Sequence, residues 1–259
     1  MKNAEMFKVE LHGPTLLITL DRAPVNAINE AWIDQLHAVL DRYEAGTEAR
    51  VLHFRSKLKI FSAGADIGFL IERLSTPAGI EAMLETVRKM QGVFDRIERS
   101  PLVSIAEIGG AALGGGFELA LACDLRVAAA PAKVGLPEAR LSLLPGAGGS
   151  QRLTKLCGAA LARRLILGAE LLEAAEAARL GLVHWALPAG ELSGFADELA
   201  GRIGSLPRHT LEANKRCILA AQERDAEGSK LEREMTRKLY EHPEALARLR
   251  AFVAERAKR

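Results

Sequence analysis

Three consecutive glycines, Gly114-Gly115-Gly116, stand between a strand-like stretch, Leu102 to Ala106, and an apolar helical stretch that they open and that runs to about Cys123. A strand that feeds a helix through a backbone without side chains restricts the chain to folds in which the two pack closely. The same bareness leaves N–H groups at a helix start accessible to a ligand oxygen, with the positive end of the helix dipole behind them. The run lacks the Lys-Ser/Thr ending of a phosphate-binding P-loop, and its spacing is not a dinucleotide fingerprint. Close packing and an oxyanion site are both open readings of these glycines.

Two carboxylates lie next to glycine runs. Glu118 closes the run Ala112 to Glu118, and Glu138 sits in Leu136-Pro137-Glu138, shortly before Pro145-Gly146-Ala147-Gly148-Gly149. A proton carrier beside a closely approachable backbone suits acid–base chemistry. Each also has a plain structural reading. Glu118 in a first helical turn favours the helix dipole, and Glu138 fits a solvent-facing turn paired with Arg140. A third small-residue segment, Phe61-Ser62-Ala63-Gly64-Ala65-Asp66-Ile67, again leaves N–H groups accessible, with Asp66 placed to cap the next helix.

The rest of the chain is read around these segments. Phe7 to Leu11 and Thr15 to Leu20 form a predicted hairpin through His12-Gly13-Pro14. Asn29 is placed to cap a helix bearing Trp32, Ile33, Leu36, Val39 and Leu40 on one face. A buried strand follows at Val51 to Phe54, then a long helix over roughly 78–97. Leu125 to Ala129 is strand-like again, and Ile67 to Pro77 reads as a loop. Beyond about 150 the pattern is helical except for a short strand at Leu182 to Trp185. The expected organisation is a mixed α/β core over 1–190 and a helical C-terminal region over 191–259, with Pro188-Ala189-Gly190 as the hinge.

Charge and cysteines narrow the function classes. The 259 residues carry 35 basic and 33 acidic side chains, a formal charge of +2, which gives no basis for nucleic acid or an acidic membrane surface. Cys123, Cys157 and Cys217 are far apart and form no CxxC pair, so neither a disulfide framework nor a zinc site is expected. Met1 to Glu10 has no long apolar stretch and no apolar run reaches membrane length, so no secretory signal and a cytoplasmic setting are expected.

The chain resembles the crotonase superfamily, the enoyl-CoA hydratase/isomerase family. The resemblance rests on Asp21-Arg22 with Asn26-Ala27, then Phe61 to Ile67, Ala112 to Asp124, Gly135 to Leu153 (with Gln151-Arg152-Leu153) and Ala178 to Val183, in that order and spacing. It implies an α/β fold, a crotonase-like spiral of ββα units with a helical C-terminal trimerisation region, assembled as a homotrimer or homohexamer. It implies an acyl-CoA thioester substrate, with coenzyme A as part of the substrate and no metal or redox cofactor. The matching oxyanion-hole positions are the N–H groups of Ala65 and Gly115. The matching catalytic positions are Glu118, to activate water, and Glu138, to give a proton to the α-carbon. Ala63, Gly64, Asp66, Ile67, Gly114, Pro137 and Gly146 fall at substrate-binding positions. The implied reaction is hydration of a 2-enoyl-CoA to a 3-hydroxyacyl-CoA.

Some residues depart from the family pattern. Phe117 puts a phenyl ring at a variable position, and Ser142 stands where glycine is frequent. Glu107 and Gly109 replace small residues and Asn before the glycine run, which leaves Glu107 as a buried carboxylate near the site or a strand-end surface residue. The C-terminal Phe252 to Arg259 keeps basic residues in an altered register, so none is matched to a CoA phosphate. The alternatives are a 3-enoyl to 2-enoyl isomerase, which needs only one base, and a non-catalytic acyl-CoA or RNA-binding protein. Two glutamates favour the hydratase.

Overall fold

The structure is a computed structural model that describes residues 5–44 and 48–222. Two compact units divide the chain, residues 1–205 and 206–259.

The first unit opens with a hairpin, β1 (Phe7–His12) and β2 (Thr15–Leu20), paired antiparallel from Phe7–Leu20 to His12–Thr15. After helix α1 (Glu30–Glu44), capped by the Asn29 side chain on Trp32 N–H, come β3 (Val51–Ser56), α2 (Ile67–Leu74) and α3 (Pro77–Arg99). Then follow β4 (Val103–Ile108), β5 (Ala112–Leu113), α4 (Gly115–Ala122), β6 (Leu125–Ala129) and β7 (Lys133–Gly135). A 3-10 turn, Glu138–Leu141, leads to α5 (Gly149–Leu167), β8 (Leu171–Glu173), α6 (Ala174–Arg179), β9 (Trp185–Leu187) and α7 (Leu192–Gly204). The second unit contributes α8 (Arg208–Ala220).

The main sheet has the order β1-β2-β3-β4-β6-β9, parallel beyond the first hairpin; β5, β7 and β8 form a small second sheet. Parallel strands buried on both faces need near-continuous apolar sequence. Leu16 to Leu20 meets that need, with every one of its side chains buried. Residues of the main sheet and of α1, α3, α4 and α7 make up one apolar core.

Helix α4 is buried at all eight positions. A helix apolar on every side belongs inside a domain, which makes Glu118 an ionisable group enclosed by the core. Phe117 is a core residue at 1% exposure.

Several expectations are corrected. Ile67 to Pro77 is not a loop. Asp66 caps α2 by accepting the Phe69 N–H at 3.2 Å, and none of the α2 residues is fully buried. The late strand is Trp185–Leu187 rather than 182–185, because Leu182 and Val183 instead turn back onto the Ala177 carbonyl. Strand β8 interrupts the stretch expected to be helical; it is a three-residue edge strand whose partner is distant in sequence. Arg140 does not pair with Glu138: its Nη2 donates to the Ala169 carbonyl at 2.6 Å. Ser142 takes φ 58°, the left-handed conformation that accounts for glycine at this position. The C-terminal basic stretch lies outside the described residues, as does most of the expected trimerisation region. Among the described residues, no helix is long and apolar enough to cross a membrane.

Candidate active site

The site is built from three chain segments that a few buried polar residues hold together. Asn26 is fully buried. Its Nδ2 donates to Ser56 Oγ at 2.8 Å and to the Phe61 carbonyl at 2.9 Å, while its Oδ1 accepts the Arg22 N–H at 2.8 Å. Ser62 Oγ donates to the Asn26 carbonyl and accepts the Gly64 N–H. Arg22 donates to the Ala27 carbonyl and pairs with Asp66 at 2.7 Å. That bond from Arg22 holds the Asp66 carboxyl below the usual carboxylate range. Ala63 N–H donates to the Val25 carbonyl. The segment 61–66 is therefore pinned on one side throughout.

On its other side Phe61 and Ser62 pair with the 111–113 stretch, and the open part begins beyond them. Ile28 forms a parallel bridge with Ala65, using the Gly64 carbonyl and the Asp66 N–H. In that pattern the N–H of Ala65 itself points away from Ile28. A Cβ on Gly64 would stand 3.0 Å from the Gly115 nitrogen, so the two segments meet there. Among the described residues, neither Ala65 N–H nor Gly115 N–H donates a hydrogen bond.

Gly114 makes the approach possible. Its φ of 52° lies in the left-handed region, and a Cβ there would stand 2.9 Å from Glu138 Oε1. Glu138 begins the 3-10 turn behind Pro137. Its Oε2 is buried without a hydrogen-bond partner, and burial pushes its carboxyl above the usual range.

Glu118 is 3% exposed, and its Oε1 accepts two backbone N–H groups, from Ala147 and Gly149, each at 2.8 Å. Burial raises its pKa to about 7, and the Glu138 charge adds to the rise. The Gly149 and Ala147 N–H groups and the charge of Arg152 oppose it. Two carboxyls pushed upward in one enclosure favour states that hold one proton between them near neutral pH.

The structure thus brings Gly64, Ala65, Gly114, Gly115, Glu118, Glu138 and the Gly146-to-Gly149 run into one region. A Cβ on Gly146 would stand 3.6 Å from Val87 of α3, and a Cβ on Gly115 would meet Met90 of the same helix. Ala63 and Ile67 carry exposed side chains beside this region.

The model of the enoyl-CoA hydratase/isomerase family matches residues 12–258. The chain belongs to this family. A probable mitochondrial enoyl-CoA hydratase of Arabidopsis thaliana is 37% identical over 92% of this chain and 79% of its own length. A probable enoyl-CoA hydratase of Bacillus subtilis is 35% identical over 93% and 92%. The crystal structure of an enoyl-CoA hydratase from Bacillus anthracis superposes with a TM-score of 0.90 at 31% identity, covering 97% of each chain.

Within this family member, sequence reasoning missed how Glu118 is held. The signal was the second glycine run, noticed for its closeness to Glu138, whereas its N–H groups serve Glu118. The Glu107 departure is also explained. Glu107 is buried, with Oε2 2.9 Å from His53 Nε2 and Oε1 accepting Ser193 Oγ at 2.6 Å. It joins the sheet to α7. His53, Glu107 and Asp197 are grouped closely enough to contact one ion. Two of the three already share a direct hydrogen bond, and His53 Nδ1 stands 3.8 Å from Asp197.

Proposed function

We propose that the protein hydrates 2-enoyl-CoA thioesters to 3-hydroxyacyl-CoA. The observation that carries the proposal is the pair Glu118 and Glu138: one carboxylate fixed by two N–H groups with a pKa near 7, the other raised and with a free oxygen. A general base works best when its pKa lies near the working pH.

In the proposed reaction the thioester oxygen accepts the Ala65 and Gly115 N–H groups. Water adds to the β-carbon and gives a proton to Glu118, while Glu138 gives its proton to the α-carbon. The C=C π bond, one O–H bond of water and the O–H bond of Glu138 break, one C–O bond, one C–H bond and the O–H bond of Glu118 form, and the proton on Glu118 recharges the pair for the next turnover. No electron is transferred overall, so the proposed chemistry needs no redox cofactor, and the two carboxyls and two N–H donors are assigned the proton transfers and the stabilisation of the oxyanion. Each oxyanion donor is expected to stabilise the enolate-like transition state by about 3–4 kcal/mol. Ala63, Gly64, Asp66, Ile67, Gly114, Pro137 and Gly146 would form the surrounding substrate surface, in a homotrimer or homohexamer as the family resemblance implies.

The test is hydration of crotonyl-CoA by Glu118→Gln and Glu138→Gln. Both variants are expected to lose roughly 100-fold or more in kcat. Near-normal turnover in either rejects the two-carboxylate mechanism. Loss in Glu138→Gln alone, with 3-enoyl-CoA still isomerised by Glu118→Gln, would assign the site to isomerisation.

A further inference from the structure

The second glycine run is held from behind as firmly as from the front. Val87, Gln91, Asp95 and Glu98 of α3 follow one another at helical spacing and share one stripe. Val87 would stand 3.6 Å from a Cβ on Gly146, and Gln91 Nε2 donates to the Gly146 carbonyl at 2.7 Å. Asp95 and Glu98 reach the run through Arg152. The Arg152 guanidinium is buried in α5; its Nη2 pairs with Asp95 and with Glu98 at 2.9 Å, and its Nε donates to Glu98 at 3.0 Å. The remaining Nη1 donates to the Ala147 carbonyl at 2.9 Å. Gly148, at φ 95°, has no side chain where this guanidinium lies.

We propose that Arg152, braced by Asp95 and Glu98, is a positioning residue for Glu118: through the Ala147 carbonyl it fixes the Ala147–Gly148 peptide, which lies between the two peptides that carry the Ala147 and Gly149 N–H groups, so that both groups converge on one carboxylate oxygen. The inference rests on Glu118 acting as the general base. A planar fork can hold a carbonyl on one edge and carboxylates on the other, which a lysine ammonium cannot do in the same geometry. The buried positive charge also favours ionised Glu118 against the effect of burial. The Arg152 hydrogen bonds go to Asp95, Glu98 and the Ala147 carbonyl and not to Glu118, so it acts through the loop.

The measurement is the pH profile of kcat/KM for crotonyl-CoA hydration by wild type, Arg152→Lys, Arg152→Gln and Asp95→Asn. In Arg152→Gln the acid limb is expected to move upward by roughly one pH unit. Arg152→Lys and Asp95→Asn should move it less, with kcat falling more than KM rises. In the same proteins, the carbon-13 titration of the Glu118 carboxyl, assigned from the missing signal in Glu118→Gln, should shift in the same direction. That signal is independent of turnover. If wild type does not hydrate crotonyl-CoA but the titration still moves, the hydratase proposal fails and the positioning role stands. If Arg152→Gln does not fold, Arg152→Lys and Asp95→Asn decide the matter. An unmoved limb together with an unmoved Glu118 titration in the folded variants overturns the proposal and leaves Arg152 as a brace between α3 and α5.

Discussion

The N–H of Gly149 lies 2.8 Å from Oε1 of Glu118, and a Cβ at position 149 would stand 2.7 Å from that same oxygen. The hydrogen bond and the missing side chain are therefore one requirement. Any other residue must push the carboxylate off its two donors or displace the loop that carries them.

Gly149→Ala should accordingly damage catalysis more than folding. A shift of about 1 Å at a reacting group costs roughly 100-fold in rate. Steady-state kinetics with crotonyl-CoA should show that loss in kcat, while circular dichroism stays native. Unchanged kcat would mean that the Glu118 position does not limit the reaction.

Glu118 also sets a stability cost that depends on pH. Its carboxyl rises from 4.5 to about 7 on folding, because burial disfavours the charge. Below pH 4.5 it is protonated in both states and contributes nothing. Between 4.5 and 7 the unfolded chain releases the proton first, so folding stability falls as pH rises; above 7 the full penalty, up to roughly 3 kcal/mol, is present. Glu118→Gln keeps an oxygen for Ala147 and Gly149 N–H and carries no charge. It should be more stable than wild type at pH 8.5 and gain much less at pH 5, by urea denaturation. An equal gain at both pH values would show that its charge is not the cause.

The sequence made the strand–glycine–helix junction legible because Gly114 to Gly116 changes composition so sharply. Asp66 and Asn29 were legible as caps because capping is local. What stayed hidden depends on distant partners. Nothing near Glu118 indicates that residues 147 and 149 supply its donors, nor does the Arg152 neighbourhood announce Asp95 and Glu98. Helix α2 was missed for a different reason. Ile67, Leu70, Ile71 and Leu74 do recur at helical spacing, but over only eight residues, too short a run for periodicity alone to separate a helix from a loop.

Glu107 is expected to hold the sheet to α7 without taking part in turnover. Burial alone would raise its carboxyl, but hydrogen bonds from His53 and Ser193, with the charges of His53 and Arg55, hold it below 4.5. Its stabilising contribution is full above pH 4.5 and is lost as pH falls through the lowered folded value. Glu107→Ala leaves His53 Nε2 and Ser193 Oγ without their partner and should cost roughly 2–4 kcal/mol in urea unfolding at pH 7. The kcat of the folded fraction should stay within about 3-fold of wild type. A large kcat loss at full folding would place Glu107 in the reaction.

Asn26 couples stability to catalysis, so its replacement should affect both. The side chain satisfies the Arg22 N–H, Ser56 Oγ and the Phe61 carbonyl, and the backbone sits at φ 50°, a conformation Asn tolerates better than Ala. Asn26→Ala strands these groups in a fully buried place and adds backbone strain, for a cost of roughly 2–4 kcal/mol. The same bonds hold the segment that contains Gly64 and Ala65, so the Ala65 N–H should lose the position proposed for it on a thioester oxygen. Thermal unfolding should drop, and kcat/KM for crotonyl-CoA should fall roughly 10-fold or more, even at temperatures where the variant is fully folded. Lower stability with unchanged kcat/KM would show that the segment keeps its shape without Asn26. The donor at Ala65 would then depend on the Ser62 and Arg22 bonds and on the backbone bonds to Val25 and Ile28.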